Sequence, residues 1–444
     1  MPGLSDLGGE NPFAGSVSGE KAVPGTVSIT LLDAIDRGLK YNLGLVSSIR
    51  AQESVRAARL RALSALMPSL SARAVESIQQ VNLAAYGFAP PTGSPIVGPF
   101  AVTDIRASAN VPIIDIESMH RLRSADQNSE AAQFNYRNAR ELVVVAVGLA
   151  YVQALAAEAR VDAVQAQLQT AQTLYQSAVD QKNAGVVPVI DVLRAQVEMQ
   201  AQQQRLVAAR NSFNKLKLQL ARVIGLPVGQ EYTLAQKIPY KPAPPLTLEE
   251  SISRALRDRP DFASAQARVR AAEYTQNAAR SERLPRLGVS GDYGVIGPNL
   301  GNSHGTFSAA AAITVPIYQG GRIQSDIQQA DATLKLRQAE ADDLRGRIEY
   351  EVRAAFLDVA SAAELVRVGQ STLELANQTL AQAQDRFRAG VTNNIEVVQA
   401  QESVANSNEA FISSTLQFNL AKLALARSLG TAERATKEFL GGTP

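Results

Sequence analysis

Residues 184–196 read AGVVPVIDVLRAQ, and residues 389–401 read AGVTNNIEVVQAQ. The two segments lie 205 positions apart and share the Ala-Gly-Val start, one acidic position and the final Ala-Gln pair. At the same spacing, Tyr151 corresponds to Phe356. A repeat of this length is far longer than the unit of a solenoid. We therefore interpret the chain as a duplicated half-protein in which each element has a counterpart.

The N-terminal part of each half begins with the same helix signal, here 217 positions apart. Thr30 and Thr247 each precede an acidic residue by three positions, as in a capping box. Pro68 and Pro285 follow about 38 positions later and close the segments. The sequence predicts one helix from Thr30 to about Leu66 and an equivalent helix from Thr247 to Pro285.

After each closing proline, the hydrophobic period changes from 3.6 to 2, which indicates β-strands. The predicted strands are about 68–83 and 101–113 in the first half, and about 286–296 and 305–317 in the second. The alternation is clearest at Leu287, Val289, Gly291, Tyr293 and Val295. Each half is therefore predicted to be a helix, a hairpin of two long strands and further helix.

The further helix is predicted to be unusually long. No proline lies between Pro112 and Pro188, or between Pro316 and Pro444. About 65 helical residues would extend about 100 Å. Apolar residues recur by steps of three and four, which is typical of helices wound around neighbours: Val161, Val164, Leu168, Ala171, Tyr175 and Ala178. A second helix then returns, so each half is predicted to contain a helical hairpin.

Composition divides the chain into five segments. Residues 1–27 are rich in Gly, Pro and Ser and are predicted to be a flexible leader. The first repeat is predicted at 28–230, a Pro-rich linker at 231–245, the second repeat at 246–430 and a C-terminal tail at 431–444.

Several functions are disfavoured by what the sequence contains. The net charge is +2, and no Lys/Arg cluster with interleaved aromatics predicts a nucleic-acid partner. The chain has no cysteine, and its two histidines, His120 and His304, do not form a metal-binding spacing. Neither a phosphate-binding loop nor a nucleophile elbow is present. We expect no enzyme activity, no metal and no cofactor.

The sequence shows neither a membrane-spanning helix nor a recognisable signal peptide. The apolar stretch 142–152 is about half the length of a membrane-spanning helix and is predicted to be a buried helix segment. The first residues, MPGLSDLGGENPF, lack the basic and apolar regions of a signal peptide. Either the protein is not exported, or the given chain is a mature form and its gene encodes a signal upstream of residue 1.

Four long strands per chain pose an assembly problem. Four strands cannot close a barrel, and an open sheet would leave unpaired edges and an exposed apolar face. A cyclic assembly can share one barrel among its subunits, and three chains would supply twelve strands. The alternation suits a barrel with lipid outside and water inside.

The duplicated segments that begin at Ala184 and Ala389, together with the Val-Pro-Ile runs at 111–113 and 315–317, resemble the TolC-like outer-membrane efflux proteins. The resemblance covers about residues 28–430. It implies a homotrimer whose 12-stranded outer-membrane β-barrel continues into a long periplasmic α-helical barrel with a gated tip. It also implies the exit duct of a tripartite efflux or type I secretion system, with outer-membrane lipid, a periplasmic adaptor and an inner-membrane pump as partners.

The candidate functional residues lie at the predicted tip of the helical hairpins. Asp191 and Glu396 occupy equivalent positions, and in a trimer they would form a ring of carboxylates able to select cations. Both could equally be first-turn acids that favour the helix dipole. Thr392 and Gln399 stand where the family pattern carries an arginine and a second aspartate, so the usual latch is not expected. Arg194 could replace it or form a surface pair with Asp191.

Two further features of the tip are predicted from residue type. Gly185 and Gly390 suit tight turns that need a positive φ. Phe387 continues the heptad pattern, and we expect it to be a core residue rather than a gate.

A protein of another class remains possible from the sequence. A soluble coiled-coil scaffold with a small docking sheet would also contain long heptad helices, and the missing signal peptide favours it. Within the duct interpretation, the sequence does not separate drug efflux from protein secretion.

Overall fold

The computed structural model describes residues 11–17, 21–88, 93–227, 229–237, 247–389, 391–392 and 394–439. The helices are α1 Leu31–Tyr41, α2 Leu43–Ser64, α3 Ile116–Asn183, α4 Val189–Val223, α5 Leu248–Asp258, α6 Pro260–Ser281, α7 Arg322–Arg388, α8 Asn394–Ser428 and α9 Ala432–Phe439. The strands are β1 Val27–Ile29, β2 Ser69–Asn82, β3 Ile96–Ile114, β4 Tyr232–Leu234, β5 Arg286–Gly297 and β6 His304–Thr314. The two halves share one order of elements, from α1 to α4 and from α5 to α8.

The chain divides into two compact units. The helical unit comprises residues 1–51, 133–264 and 342–444. The sheet unit comprises residues 52–132 and 265–341. The first contains the helical hairpins, and the second contains the four long strands.

The predicted single helix at the start of each half is wrong, because each is broken into two. Asn42 separates α1 from α2 with φ −64° and ψ 131°. Arg259 separates α5 from α6 with φ −69° and ψ 122°. Pro260 explains the second break, since the residue before a proline is disfavoured in the helical region. Asn42 lies 217 positions before Arg259, so both halves break at equivalent positions.

Buried hydrogen bonds stabilise both breaks in the same way. The Asn42 amide donates to the carbonyl of Val223 at 3.3 Å, and the Arg259 guanidinium donates to the carbonyl of Ser428 at 3.4 Å. The two acceptors are 205 positions apart, at the ends of α4 and α8. Asn42 is fully buried, and Arg259 is 3% exposed. Each half thus uses one buried polar side chain to join its helix break to the end of its returning helix.

Arg259 also lies at the centre of an ion network. Its guanidinium donates to both carboxylate oxygens of Asp261, at 3.0 and 2.7 Å, and to Glu351 at 2.6 Å. Burial alone would raise the pKa of the Asp261 carboxyl, but the hydrogen bonds and charge of Arg259 hold that pKa below its usual value. Burial, followed by the charge of Arg259, lowers the pKa of the nearby Arg427. The network therefore keeps several charged groups at a position with little access to water.

The core of the helical unit is repeated in the two halves. In the first half, Tyr151 is 1% exposed and donates its hydroxyl to the carbonyl of Ile29 at 3.1 Å. Its surroundings share a buried apolar character and include Ile35, Val143, Val147, Leu220 and Ile224. In the second half, Ile348 and Val352 form the equivalent cluster with Ala255. The duplication therefore extends to the packing.

The apolar part of α3 is longer than the predicted stretch 142–152. An 18-residue window of this helix has a mean hydropathy of 1.9, which by length and composition would suit a membrane span. However, 61% of that window is buried within the protein. The buried Val143, Val144 and Val147 belong to the core described above. The stretch is therefore typical of a core helix.

The ends of the chain are more structured than a leader and a tail suggest. The predicted flexible leader differs from the structure at residues 11–17, because Phe13 packs against Gly44. A Cβ atom at position 44 would come within 2.3 Å of the Phe13 ring. The amide of Asn42 also donates to the carbonyl of Phe13 at 2.8 Å. Within the predicted Pro-rich linker, β4 pairs in parallel with β1, and α9 occupies the predicted tail.

The four long strands form one antiparallel sheet in the order β2-β3-β5-β6. Their centres agree with the prediction, but β3 begins at Ile96 rather than 101, and β6 ends at Thr314 rather than 317. Pro316 follows this end and cannot donate a backbone hydrogen bond to a ladder. Among the strands of the described residues, β2 and β6 each have a neighbour on one side only.

The register separates an apolar face from a polar face. Residues of the apolar face alternate with those of the polar face and include Leu70, Ala107, Val289, Tyr293, Phe307 and Ile313. On the polar face, one row of directly opposed residues across the four strands is Ser71, Ser108, Asp292 and Ser308. Leu70 and Phe307 are 79% and 80% exposed within the chain. The apolar face is therefore uncovered.

Replacing Arg259 by alanine should lower the free energy of unfolding by about 3 kcal/mol, because the substitution breaks a buried ion pair. Of its ion-pair partners among the described residues, Asp261 would keep the more distant Arg427, at 3.6 Å. Chemical unfolding in detergent measures this loss. Arg257, whose side chain is 70% exposed, is the matched control, and its replacement should change stability by at most about 0.5 kcal/mol. Equal effects of the two substitutions would contradict a structural role for the Arg259 network.

Candidate functional site at the helical tip

The first helical hairpin turns at Gly185. This residue has φ 76°, a conformation that glycine adopts without steric cost. The amide of Gly185 donates to the carbonyl of Lys182 at 3.0 Å, and that of Val186 donates to Gln181 at 2.9 Å. These two bonds form a Schellman motif. The predicted turn at Gly185 is therefore present.

The second hairpin shows the equivalent long-range bond of this motif. The amide of Val391 donates to the carbonyl of Arg386 at 3.0 Å, 205 positions after the bond in the first half. Gly390, the second predicted turn residue, lies outside the described residues.

Asp191 is a first-turn acid of α4 and is only 6% exposed. Its carboxylate lies 3.3 Å from the guanidinium of Arg194, so the i,i+3 pair, one of the two alternatives for Arg194, is present. Its backbone carbonyl accepts a hydrogen bond from the Asn394 amide at 3.1 Å. This bond connects the start of α4 to the start of α8, and no local pattern in the sequence predicts it.

Glu396 has the equivalent position but a different environment. It lies in the first turn of α8, and its side chain is 44% exposed. Arg386, at the end of α7, approaches its carboxylate at 3.5 Å. Together with Gln399, these residues line an open groove of about 490 Å³ between α7 and α8. Glu396 is thus paired with an arginine on the other helix of its hairpin, whereas Asp191 is paired within its own helix.

An apolar cluster lies beneath these polar residues. Phe387 is 5% exposed and contacts a group of buried side chains: Leu174, Ala383, Val397 and Ala400. Phe387 is therefore a core residue, as its heptad position predicts. The cluster joins α7 and α8 with α3.

The four long helices line a partly open pocket. Its volume is about 190 Å³, and its lining includes Gln202 and Gln401. Gln202 is 2% exposed, and the side-chain oxygens of both glutamines lack a hydrogen-bond partner among the described residues. Unpaired buried amides cost stability unless water satisfies them, and this pocket has room for water. Water in this pocket can therefore satisfy the side-chain amides of Gln202 and Gln401.

Sequence reasoning missed two residues of the tip, Arg386 and Asn394. Arg386 stands where the first half has Gln181, and such a difference between repeats could have drawn attention to it. Asn394 is fully buried, and its side-chain oxygen has no hydrogen-bond partner within the described part of the chain. Among the described residues, no group of three or more His, Asp or Glu could hold a metal ion.

The order of helix, β-hairpin and helical hairpin thus occurs twice in the chain, and the sheet has an uncovered apolar face. The model of the outer membrane efflux protein family matches residues 39–226 and 251–431. The chain belongs to this family and is an outer-membrane protein. The soluble scaffold considered from the sequence is thereby set aside.

Curated relatives and solved structures agree with this assignment. The alkaline protease secretion protein AprF of Pseudomonas aeruginosa is 24% identical over 67% of this chain and 63% of AprF. The outer membrane protein OprJ of the same organism is 30% identical over 57% of this chain and 54% of OprJ. The matched segment is thus less than two thirds of the length of either relative.

Among solved structures, the CmeC outer membrane channel of Campylobacter jejuni has a TM-score of 0.79 at 17% identity, covering 97% of this chain and 94% of CmeC. The outer membrane protein VceC of Vibrio cholerae has a TM-score of 0.77 at 18% identity, covering 90% and 96% of the two chains. These likenesses show that the fold is that of the TolC-like channels.

Replacing Phe387 by alanine should destabilise the tip by about 3–5 kcal/mol, because it empties a buried aromatic position. Hydrogen exchange of the backbone amides at the ends of α7 and α8 measures this local stability. Val391 is the control because it is 70% exposed, and its replacement should leave exchange almost unchanged. Equal protection in both variants would show that Phe387 does not stabilise the ends of α7 and α8.

Proposed function

We propose that the protein is the exit duct of a tripartite efflux or type I secretion system. It passes substrates from the periplasm to the exterior as a homotrimer, without a catalytic step. The observation that carries this proposal is the four-stranded sheet. Its apolar face is uncovered, and its two edges lack neighbours in the described part of the chain.

The edges favour a barrel shared among copies. Unpaired strand edges promote association, and a closed barrel removes them. In a membrane, every backbone polar group must be paired within the protein, so an open edge cannot face lipid. If β6 of one copy pairs with β2 of the next, three copies give twelve strands.

Exposed apolar stripes on the long helices favour the same assembly. Along α7 they share a spacing close to a heptad: Tyr350, Leu357, Leu365, Val368 and Leu375 are 71%, 72%, 49%, 49% and 61% exposed. On α4, Leu193 and Val197 are 50% and 66% exposed. Stripes of this kind are typical of helices that pack against further helices. We assign them to contacts between copies in a periplasmic α-helical barrel.

The partners of the duct are part of the proposal. AprF is named for protease secretion, and a relative from Pseudomonas putida, TtgC, is named for a toluene efflux pump. By analogy, this chain would work with a periplasmic adaptor and an inner-membrane pump. Efflux and secretion systems differ in the class of substrate that they export, and relatives of both kinds match this chain.

The tip is the proposed constriction. In a trimer, Asp191 and Glu396 would each occur three times near the ends of the hairpins, and rings of carboxylates favour cations. Asp191 is buried in the single chain, so opening of the hairpins would be needed to expose it. Arg386 and Arg194 would then compete with cations for the two acids.

Replacing both Asp191 and Glu396 by alanine should reduce the cation preference of the pore in planar bilayers and weaken its block by multivalent cations. Glu364, an exposed acid on the middle of α7 paired with Arg367, serves as control, and its replacement should leave both properties unchanged. Unaltered selectivity and block in the double variant would mean that the two acids act only on their helices' first turns.

Purified protein in detergent should have the mass of three 47.3 kDa chains. The reason is that the monomer would leave strand edges and an apolar face uncovered, so its folded form depends on assembly. Light scattering with a correction for bound detergent measures the mass. A stable monomer that needs no detergent would contradict the proposed duct.

A further inference from the structure

Away from the tip, the two hairpins of the chain contact each other through α3 and α8. Gly148 of α3 lies against Leu423 of α8, since a Cβ atom at position 148 would come within 3.2 Å of the Leu423 side chain. The guanidinium of Arg427 donates a hydrogen bond to the side-chain oxygen of Asn138 at 2.8 Å. We call this contact between the hairpins the α3–α8 seam.

The duplication gives this seam a counterpart that the single chain leaves open. α7 is the repeat of α3, and α4 is the repeat of α8, each 205 positions away. Val152, one turn after Gly148, is 1% exposed, whereas its counterpart Leu357 on α7 is 72% exposed. Leu423 is 2% exposed, whereas its counterpart Leu218 on α4 is 67% exposed. The faces that meet in the α3–α8 seam are thus covered, and the equivalent faces of α7 and α4 are bare.

The repeat also indicates which residues would meet if these two bare faces came together. A shift of 205 positions converts the pair of Asn138 and Arg427 into Asp343 and Arg222. Asp343 is 77% exposed and lies 3.5 Å from Arg347 on its own helix, a surface pair that contributes little. With a carboxylate in place of the Asn138 amide, the hydrogen bond would become a stronger, charge-assisted one.

The contact of Gly148 with Leu423 is converted into Arg353 with Leu218. An arginine needs more room than a glycine, so the helices would lie further apart here. The apolar stem of an arginine can cover a leucine while its guanidinium stays in water. Leu218 would therefore lose its exposure without burying the charge of Arg353.

A third contact changes its chemistry. Within the chain, Arg160 of α3 pairs with Glu409 of α8 at 2.8 Å. The equivalent positions are Leu365 and Gln204, so that no ion pair is expected there. The second seam would thus keep the geometry of the first but use different side chains.

The charges of the two bare faces are complementary. Residues 204–222 of α4 contain five basic residues and no acidic one, a formal charge of +5. Residues 343–365 of α7 contain five acidic residues and three arginines, a formal charge of −2. Lys217 and Glu351 are engaged within the chain, and without them the charges are +4 and −1. Two α4 faces would repel each other, so charge favours a contact of α4 with α7.

We propose that α4 of one copy packs against α7 of the next copy in the register of the α3–α8 seam. Arg222 pairs with Asp343 across this contact, and Leu218 is covered by Arg353 and Leu357. This step rests on the homotrimer of the proposed function and assigns the two faces to a second copy of this chain. A head-to-tail contact of unlike faces closes into a ring. Six similar seams would then hold the helical barrel, three within chains and three between them.

Reversal of charge tests the ion pair. Arg222→Asp or Asp343→Arg alone should lower the temperature at which the trimer dissociates in detergent by several degrees, because like charges then face each other in three seams. The double reversal should recover at least half of this loss, since a double-mutant cycle isolates the interaction between the two positions. Light scattering on heating measures dissociation, and circular dichroism checks that the helices are retained.

Asp342→Arg is the matched control. It makes the same change of charge on an exposed neighbour of Asp343, but it points to another side of the helix. It should shift the dissociation temperature less than Asp343→Arg, and Arg222→Asp should not rescue it. Single reversals without effect, or a double reversal without recovery, would overturn the ion pair.

Cysteine pairs provide a second test that does not depend on the charge-reversed proteins. The chain contains no cysteine, so Leu218→Cys combined with Arg353→Cys should form disulfides that link separate copies into dimers and trimers. Leu218→Cys combined with Arg367→Cys is the control, because 14 helical residues move the second cysteine by about 21 Å. This pair should remain monomeric on denaturing gels.

The cross-linking outcomes separate the possible occupants of the α4 face. A disulfide within one chain, a link from position 218 only to a different protein such as an adaptor, or no link in folded protein would each overturn the proposed seam. Protein that forms no trimer at all would instead contradict the proposed duct. A trimer that passes the strand-edge test but shows no link between positions 218 and 353 would leave the duct intact.

Discussion

The structure depends on one constraint, the pairing of strand edges. Each half of the chain supplies two long strands, and four strands in the order β2-β3-β5-β6 leave backbone groups of β2 and β6 without partners in the sheet. Water can satisfy such groups, but the hydrocarbon of a membrane cannot. The apolar face of the sheet is also uncovered, and exposure of such a face to water is unfavourable. Association of several copies satisfies both requirements, and the exposed stripes on α4 and α7 are consistent with it.

The duplication preserved geometry while the chemistry of the two halves diverged. Both helix breaks are joined to the end of a returning helix, but Asn42 does this with a neutral amide and Arg259 with a charged network. At the tip, Asp191 is buried, whereas Glu396 is exposed beside Arg386. Equivalent backbone positions thus carry residues with different electrostatic roles. The tip is therefore built from two unlike hairpins, although the chain is duplicated.

Much of this fold could be predicted from the sequence because its signals are periodic. Alternation over ten or more residues located the four strands, and the long proline-free segments located α3 and α7. The positions of Gly185 and Phe387 followed from turn chemistry and the heptad pattern. These signals are local, and tertiary contacts reinforce them rather than override them.

The features that the sequence did not reveal depend on contacts between distant residues. The break at Asn42 has no proline to mark it and is stabilised by Val223, far along the chain. β1 and β4 have three residues each, too few for a recognisable period, and they form only by pairing with each other. The break at Arg259 is the exception, because Pro260 is a local signal for it that the prediction of a continuous helix overlooked. The hydrogen bond between Asn394 and Asp191 joins two hairpins that no local pattern relates.

Cysteine cross-linking between strand edges tests the shared barrel most directly. Within one chain, β2 and β6 are separated by three strand spacings, about 14 Å, which is too far for a disulfide. Double variants would combine Ser71→Cys on β2 with a cysteine at Thr306, Ser308, Ala310 or Ala312 on the same face of β6. We expect at least one pair to yield a covalently closed trimer upon oxidation in the membrane. Failure of every pair to link separate copies, in protein that is folded and inserted, would contradict the barrel shared by three chains.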